Sequence, residues 1–198
     1  MSAAADRRRD LIAAARQLIA EKGMAGFTLR AVAQAAGLHH ATLLHYFPAK
    51  ADLLHAVVED LLQSLAAPLS GAAPVVIAQP QLRAIIAEFF DIRQRLHTDP
   101  AMFVVMSELQ LHGRHDREVA TQLSRLDEAW SRHLAHLLSE GVREGALRAD
   151  LDVPAATEAL MAETKGITMQ AAAGGDLLAL DRAIDVLAAQ LEAYLRPS

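Results

Sequence analysis

The residues best equipped for chemistry sit together in residues 28–50, TLRAVAQAAGLHHATLLHYFPAK, where three histidines, two threonines, a tyrosine, an arginine and a lysine share one stretch. Their framework reads as a helix opened by Thr28, a good N-cap, then a sharp turn at Gly37, where no Cβ resists an unusual backbone. A second short helix runs from about His39 to Phe47 and is stopped by Pro48. Two short helices joined this way form a helix-turn-helix, whose second helix enters the DNA major groove. A second set of candidates is the histidine pairs His112 with His115 and His133 with His136. Their i, i+3 spacing puts two imidazoles on one helix face, able to ligate zinc or another divalent ion. With no cysteine, Asp116 or Glu118 would have to complete such a site, and plain solvated faces are the simpler reading, so no metal or cofactor is expected. Catalysis has no support: there is no G-x-S-x-G, no phosphate-binding glycine loop, no H-E-x-x-H and no clean carboxylate pair, and His133 near Ser131 or Ser139 stands alone.

Charge is divided along the chain. Residues 1–50 hold seven Lys and Arg against three Asp and Glu; the remainder holds twelve against twenty-one, within a net charge of −5. A basic end that contains the turn motif is what phosphate contact needs, and the acidic remainder should face away from DNA. The absence of cysteine fits a reducing cytoplasm, so a cytoplasmic protein is expected. No apolar run follows the arginines of MSAAADRRRD and none reaches 18 residues, so neither a signal peptide nor a membrane span is expected.

The elements that must position these residues all have the helical period. Leu11, Ile12, Ala15, Leu18 and Ile19 stripe a first helix at about 6–22, ended by Gly23 and Gly26. After the two turn-motif helices, a fourth at about 50–66 carries Leu53, Leu54, Val57, Val58, Leu61, Leu62 and Leu65. APLSGAAPVVIAQP, residues 67–80, is the best boundary, with three prolines and a glycine. Helices follow at about 80–97, 100–112 and 115–144, the last with Val119, Leu123, Leu126, Trp130, Leu134 and Leu137 as one buried seam. Asp152 and Pro154 start an eighth helix that runs to Gly174-Gly175, and a ninth spans about 176–195. With 41 alanines among 198 residues, the composition also favours helix.

In FTLRAVAQAAGL followed by TLLHYFPAKADLL, with Gly37, Thr42, Leu43, Tyr46, Phe47 and Lys50 in place, the chain resembles the tetracycline-repressor (TetR) family of bacterial regulators. EGALRADLDVPAATEALMAETKGI is more weakly similar to the entry to the family's penultimate helix. The resemblance implies an all-α fold of about nine helices. An N-terminal three-helix DNA-binding domain with the helix-turn-helix would occupy 1–50, its linking helix reaching about 66. A C-terminal helical ligand-binding and dimerisation bundle would occupy 67–198. It implies a homodimeric repressor on double-stranded DNA, released from a palindromic operator by a small, mostly apolar effector. Half-sites lie roughly 34–36 Å apart, so a small change in the separation of the two reading heads spoils both contacts. A metal-responsive regulator using the histidine pairs and a helical interaction protein without DNA binding are the alternatives.

By the same resemblance, Thr28 and Lys50 should touch phosphates, Tyr46 should add a hydroxyl contact, and His39, His40, Ala41, Thr42 and His45 are candidates for base edges, with Arg30 nearby. Four positions depart from the family pattern: His39 and Ala49 replace usual caps, His40 replaces a common Lys or Arg, and Leu44 replaces a common Tyr. DNA binding should therefore be weaker in its non-specific part and pH-sensitive, because histidine titrates near about 6.5; a flat binding profile from pH 6 to 8 at fixed salt would refute this. Arg7, Arg8 and Arg9 are read either as a compensating arm on DNA or as a disordered start. In the second domain, Phe89, Phe90, Phe103, Met106, Trp130 and Met161 can line a lipophilic pocket, or be plain core. Met102 and Met169 are read the same way. Arg93, His97, Thr164 and Thr168, with Glu88, Glu108, Glu163 and Lys165, are polar groups in apolar stretches that need partners, a ligand being one and a cross-dimer Glu163–Lys165 pair another.

Overall fold

The computed structural model describes residues 3–66 and 80–197, with the side chains of residues 3, 66, 80, 81 and 83 left aside. Among the described residues every regular element is a helix: α1 Ala3–Gly26, α2 Leu29–Ala35, α3 His40–Tyr46, α4 Lys50–Ala66, α5 Pro80–Thr98, α6 Pro100–Gly113, α7 Arg117–Arg143, α8 Val153–Ala172 and α9 Leu177–Leu195. The all-α expectation and the helix order hold. The boundary placed at residues 67–80 lies outside the described residues except for Pro80, which opens α5. None of the described helices is long and apolar enough to cross a membrane.

Local chemistry explains where the helices start. The Ala31 amide donates to Thr28 Oγ1 at 3.2 Å and the Ala155 amide to Asp152 Oδ1 at 3.1 Å, each a side-chain N-cap. Asp116 caps α7 by accepting from Glu118 N and Val119 N, and Asp176 caps α9 by accepting from Leu178 N. Helix α1 is interrupted rather than ended at Gly23, whose φ of 64° is left-handed, and it resumes for three residues. The break frees the Met24 amide, which donates to Glu108 Oε2 at 2.8 Å.

Packing divides the chain into two compact units. The first joins Met1–Pro68 to Ala101–Ser124, and the second joins Leu69–Pro100 to Arg125–Ser198. In the first, α1 packs on α2 and α4, and α2 on α3. Leu11, Ile19, Phe27, Leu43, Leu53 and Leu61 are fully enclosed there. Arg16 Nη1 donates to Asp60 Oδ2 at 2.8 Å and ties α1 to α4. In the second, α5 packs on α9 and α8, and Leu82, Ile85, Ile184 and Leu195 are fully enclosed. The seam expected along α7 is only partly buried: Val119, Leu134 and Leu138 are enclosed, whereas Leu123, Leu126, Trp130 and Leu137 stay half-exposed. Helical period predicts which side chains share a face, not whether a neighbour covers all of it.

Candidate nucleic-acid interface

Helix α3 is seven residues long and buries one of them, Leu43, from a face whose remaining side chains meet solvent. Such a helix cannot hold itself together, since one turn of hydrogen bonds barely offsets the ordering it requires. Its stability comes from Leu43 and the C-cap Phe47, both enclosed, and from the turn before it. There Gly37 adopts φ 66°, and the Leu38 amide closes back on Ala33 O at 2.8 Å. The outcome is a rigid base that presents His39, His40, Ala41, Thr42 and His45 outward, all exposed. Tyr46 is half-buried and stands edge-on to His45, ring centroids 5.5 Å apart.

The flanking candidates sit on the same small domain. Thr28, Arg30 and Lys50 are exposed, at the starts of α2 and α4. Lys50 Nζ lies 5.0 Å from the centroid of the buried Phe27 ring, so the stem is steered while the ammonium stays in water. Apart from the Thr28 cap, none of these polar side chains makes a hydrogen bond or ion pair among the described residues. At His39 no side-chain cap forms, as its replacement of a hydroxyl residue implies. At Ala49 the loss is half repaired: the Ala49 amide donates to Asp52 Oδ2 at 2.8 Å, one limb of a capping box. Arg7, Arg8 and Arg9 are not a disordered start. They belong to the first turns of α1, with Arg8 stacked 5.0 Å over the Phe47 ring and Arg9 paired to Asp6.

The pocket candidates do not all fall in one unit. Phe103, enclosed, and Met106, half-buried, pack in the first; the other eight belong to the second. There Trp130 Nε1 donates to Glu88 Oε2 at 2.7 Å, and His133 Nε2 lies 3.1 Å from Glu88 Oε1. Burial raises the Glu88 carboxyl above its ordinary range, while Trp130 and His133 pull it back. Arg93 stacks 4.4 Å over Phe90 and pairs with Asp185 at 2.8 Å, and His97 Nε2 meets both Asp181 oxygens at 3.0 Å. Phe89, Met161 and Thr164 are buried, and Thr168 Oγ1 donates to Lys165 O. Lys165 Nζ donates to Asp127 Oδ2 at 2.6 Å. Glu108, read as a polar group of the second domain, serves α1 in the first unit. No cluster of three or more metal-ligating side chains forms among the described residues. The sequence reading passed over His55, which faces Glu118 at 3.3 Å with its Nε2 buried and unpartnered; a lone histidine among leucines gave no signal.

Comparison with known proteins decides what this arrangement is. Residues 11–57 match the model of bacterial regulatory proteins of the tetR family, and residues 78–196 match that of the BetI-type transcriptional repressor C-terminal domain. The chain belongs to the TetR family. This TetR-family protein is a DNA-binding transcriptional repressor and not an enzyme; the metal-responsive and non-DNA-binding alternatives gain no support. It is 27% identical over 152 residues to the transcriptional repressor KstR2 of Rhodococcus jostii, covering 74% of this chain and 71% of that one. It is 31% identical over 142 residues to the transcriptional regulator BetI of Escherichia coli, covering 70% and 69%. A TetR transcriptional regulator from Chloroflexus aurantiacus shares the fold with a TM-score of 0.81 at 18% identity, over the whole of both chains.

Proposed function

We propose that the protein is a cytoplasmic homodimer that represses transcription from a palindromic operator and leaves it when a small, mostly apolar organic molecule binds. Residues 1–50 read the double-stranded DNA, with α4 as the link to about residue 66, and residues 67–198 carry effector and dimer contacts. The observation that carries the reading is the exposed and unpaired state of Arg30, His39, His40, Thr42, His45 and Lys50 over the enclosed Leu43 and Phe47. Free donors on a rigid base suit phosphate and base-edge contact.

Support for the dimer comes from α8 and α9, where Met169, Leu178, Val186 and Tyr194 are between 49% and 65% exposed. A groove beside them is lined by Ala155, Ala159, Leu187 and Tyr194 around Glu163, whose carboxyl is raised by burial. Apolar surface of this kind marks an interface. For the effector, Phe89, Phe90, Arg93, His97, Trp130, Met161, Thr164 and Thr168 are the proposed contacts, all in the second unit. Selection of random and genomic DNA fragments on the purified protein tests the reading, with a His40→Ala, Lys50→Ala double variant as control. Recovery of a palindrome that the variant loses is expected. Recovery of nothing at low salt, at both pH 6 and pH 8, would overturn it.

A further inference from the structure

The histidine pair His112 and His115 finds no use in DNA reading, yet the first unit places it on the rim of a cavity of about 350 Å³. Met24, Glu108, Leu111, His112, Arg114 and His115 line it. Its volume suits a small ligand, and it lies widely open to solvent. The wall is fixed by backbone: His115 N donates to His112 O at 2.9 Å and Asp116 N to the same oxygen at 3.1 Å. Gly113 lies beside the Ala120 backbone, where an added Cβ would make an ordinary contact at 3.4 Å.

The charges around the cavity are unequally committed. Glu108 Oε2 accepts from the Met24 amide at 2.8 Å, and Asp116, 3.7 Å from His112, is occupied as the cap of α7. Arg114 and His115 are exposed and make no hydrogen bond or ion pair among the described residues. Beside them Leu111 is 64% exposed, and the Met24 thioether continues the apolar side. A guanidinium and an imidazole next to an open leucine and methionine match a molecule with an anionic head and a short apolar body.

We propose that this cavity binds a small amphiphilic anion, its carboxylate or phosphate head held by Arg114 and His115 and its apolar body laid on Leu111 and Met24. The site goes beyond the operator and effector reading, and none of its residues is among those assigned there. Calorimetric titration of the full-length protein with octanoate and with hexyl phosphate tests it, with octanol as the uncharged control. The side-chain nitrogen resonances of His112 and His115 are followed alongside. Saturable binding of one octanoate or one hexyl phosphate per chain is expected, and the tighter of the two identifies the head group. The His115 resonance should move with it, and Arg114→Glu should weaken binding at least tenfold with unchanged thermal stability. Arg114→Gln with His115→Gln provides a milder variant that should lose most of the same binding. Octanol binding as tightly as octanoate, anion binding indifferent to both variants, or no saturable binding of either anion would each overturn the proposal. Because no DNA enters the titration, its failure leaves the regulator reading untouched, and failure of operator selection leaves this site untouched.

Discussion

The reading head and the α5, α8 and α9 packing treat polar side chains in opposite ways. On the head, Arg30, His39, His40, Thr42 and Lys50 point into water with no hydrogen-bond or ion-pair partner among the described residues. On α5, the corresponding groups are spoken for: Arg93 by Asp185, His97 by Asp181, Glu88 by Trp130 and His133, and Arg95, nearly enclosed, by Asp91 at 2.7 Å. A surface that will meet phosphates keeps its donors free, because any internal partner would have to be displaced on binding. A bundle that must stay shut against water does the reverse, since an orphaned buried group costs about 1–3 kcal/mol. The distinction between unsatisfied-by-exposure and satisfied-in-place separates recognition from architecture here better than residue type does.

The sharpest way to break this comparison is to remove the head's scaffold while leaving its donors. Leu43→Ala should destabilise the first unit by about 2–5 kcal/mol, and DNA binding should vanish although no proposed contact was touched. Thermal unfolding and operator binding, measured on the same sample, check this. Lys50→Ala should do the opposite: stability changes by less than about 0.5 kcal/mol, while affinity falls on all sequences and the salt slope drops by about one per binding site. A Lys50→Ala variant that melts early would show that the lysine is architectural after all.

The third test concerns a buried group. The Glu88 carboxyl is raised above its ordinary 4.5 chiefly by burial. Above that value the unfolded chain gives up the proton before the folded one does, so stability falls as pH rises until the folded group has also ionised. Glu88→Gln keeps an oxygen for Trp130 and removes the titration, so its melting temperature should lose that downward slope above pH 4.5. Melting curves of the two proteins across that range, superimposable in shape, would refute the assignment. The smallest effect is expected at Arg93–Asp185, whose side chains are 34% and 60% exposed. Asp185→Ala should cost at most about 1 kcal/mol, read from denaturant unfolding.

Most of the helix pattern was legible because its signals are local. Thr28 and Asp152 open the helices they were expected to open, and Gly37 turns where a turn was needed. What escaped depends on partners distant in sequence. The α7 stripe is correct as a face, yet Trp130 and its neighbours are covered only in part, which periodicity cannot report. Arg7 to Arg9 carry three like charges, a pattern that reads as a solvated tail; stacking of Arg8 on Phe47 and pairing of Arg9 with Asp6 hold them in a helix instead. Phe103, Met106 and Glu108 fall in the same unit as α1 rather than with α5, which precedes them in sequence, and no composition signal marks that crossover. On the head, His39, His40, Ala41, Thr42 and His45 are all exposed.

The tie between Met24 and Glu108 has a consequence for the order in which the molecule can be made. Residue 24 leaves the ribosome 84 residues before its partner. Through all of that synthesis the amide freed by the Gly23 break has water alone to bond with. The first unit, which holds α3, is discontinuous in sequence, so its last native contacts close only after residues 101–124 have been added. A nascent chain of 66 residues already displays the entire reading surface but lacks the carboxylate that fastens the end of its first helix. Completion of the first unit is thus a late event in biosynthesis, waiting on α6.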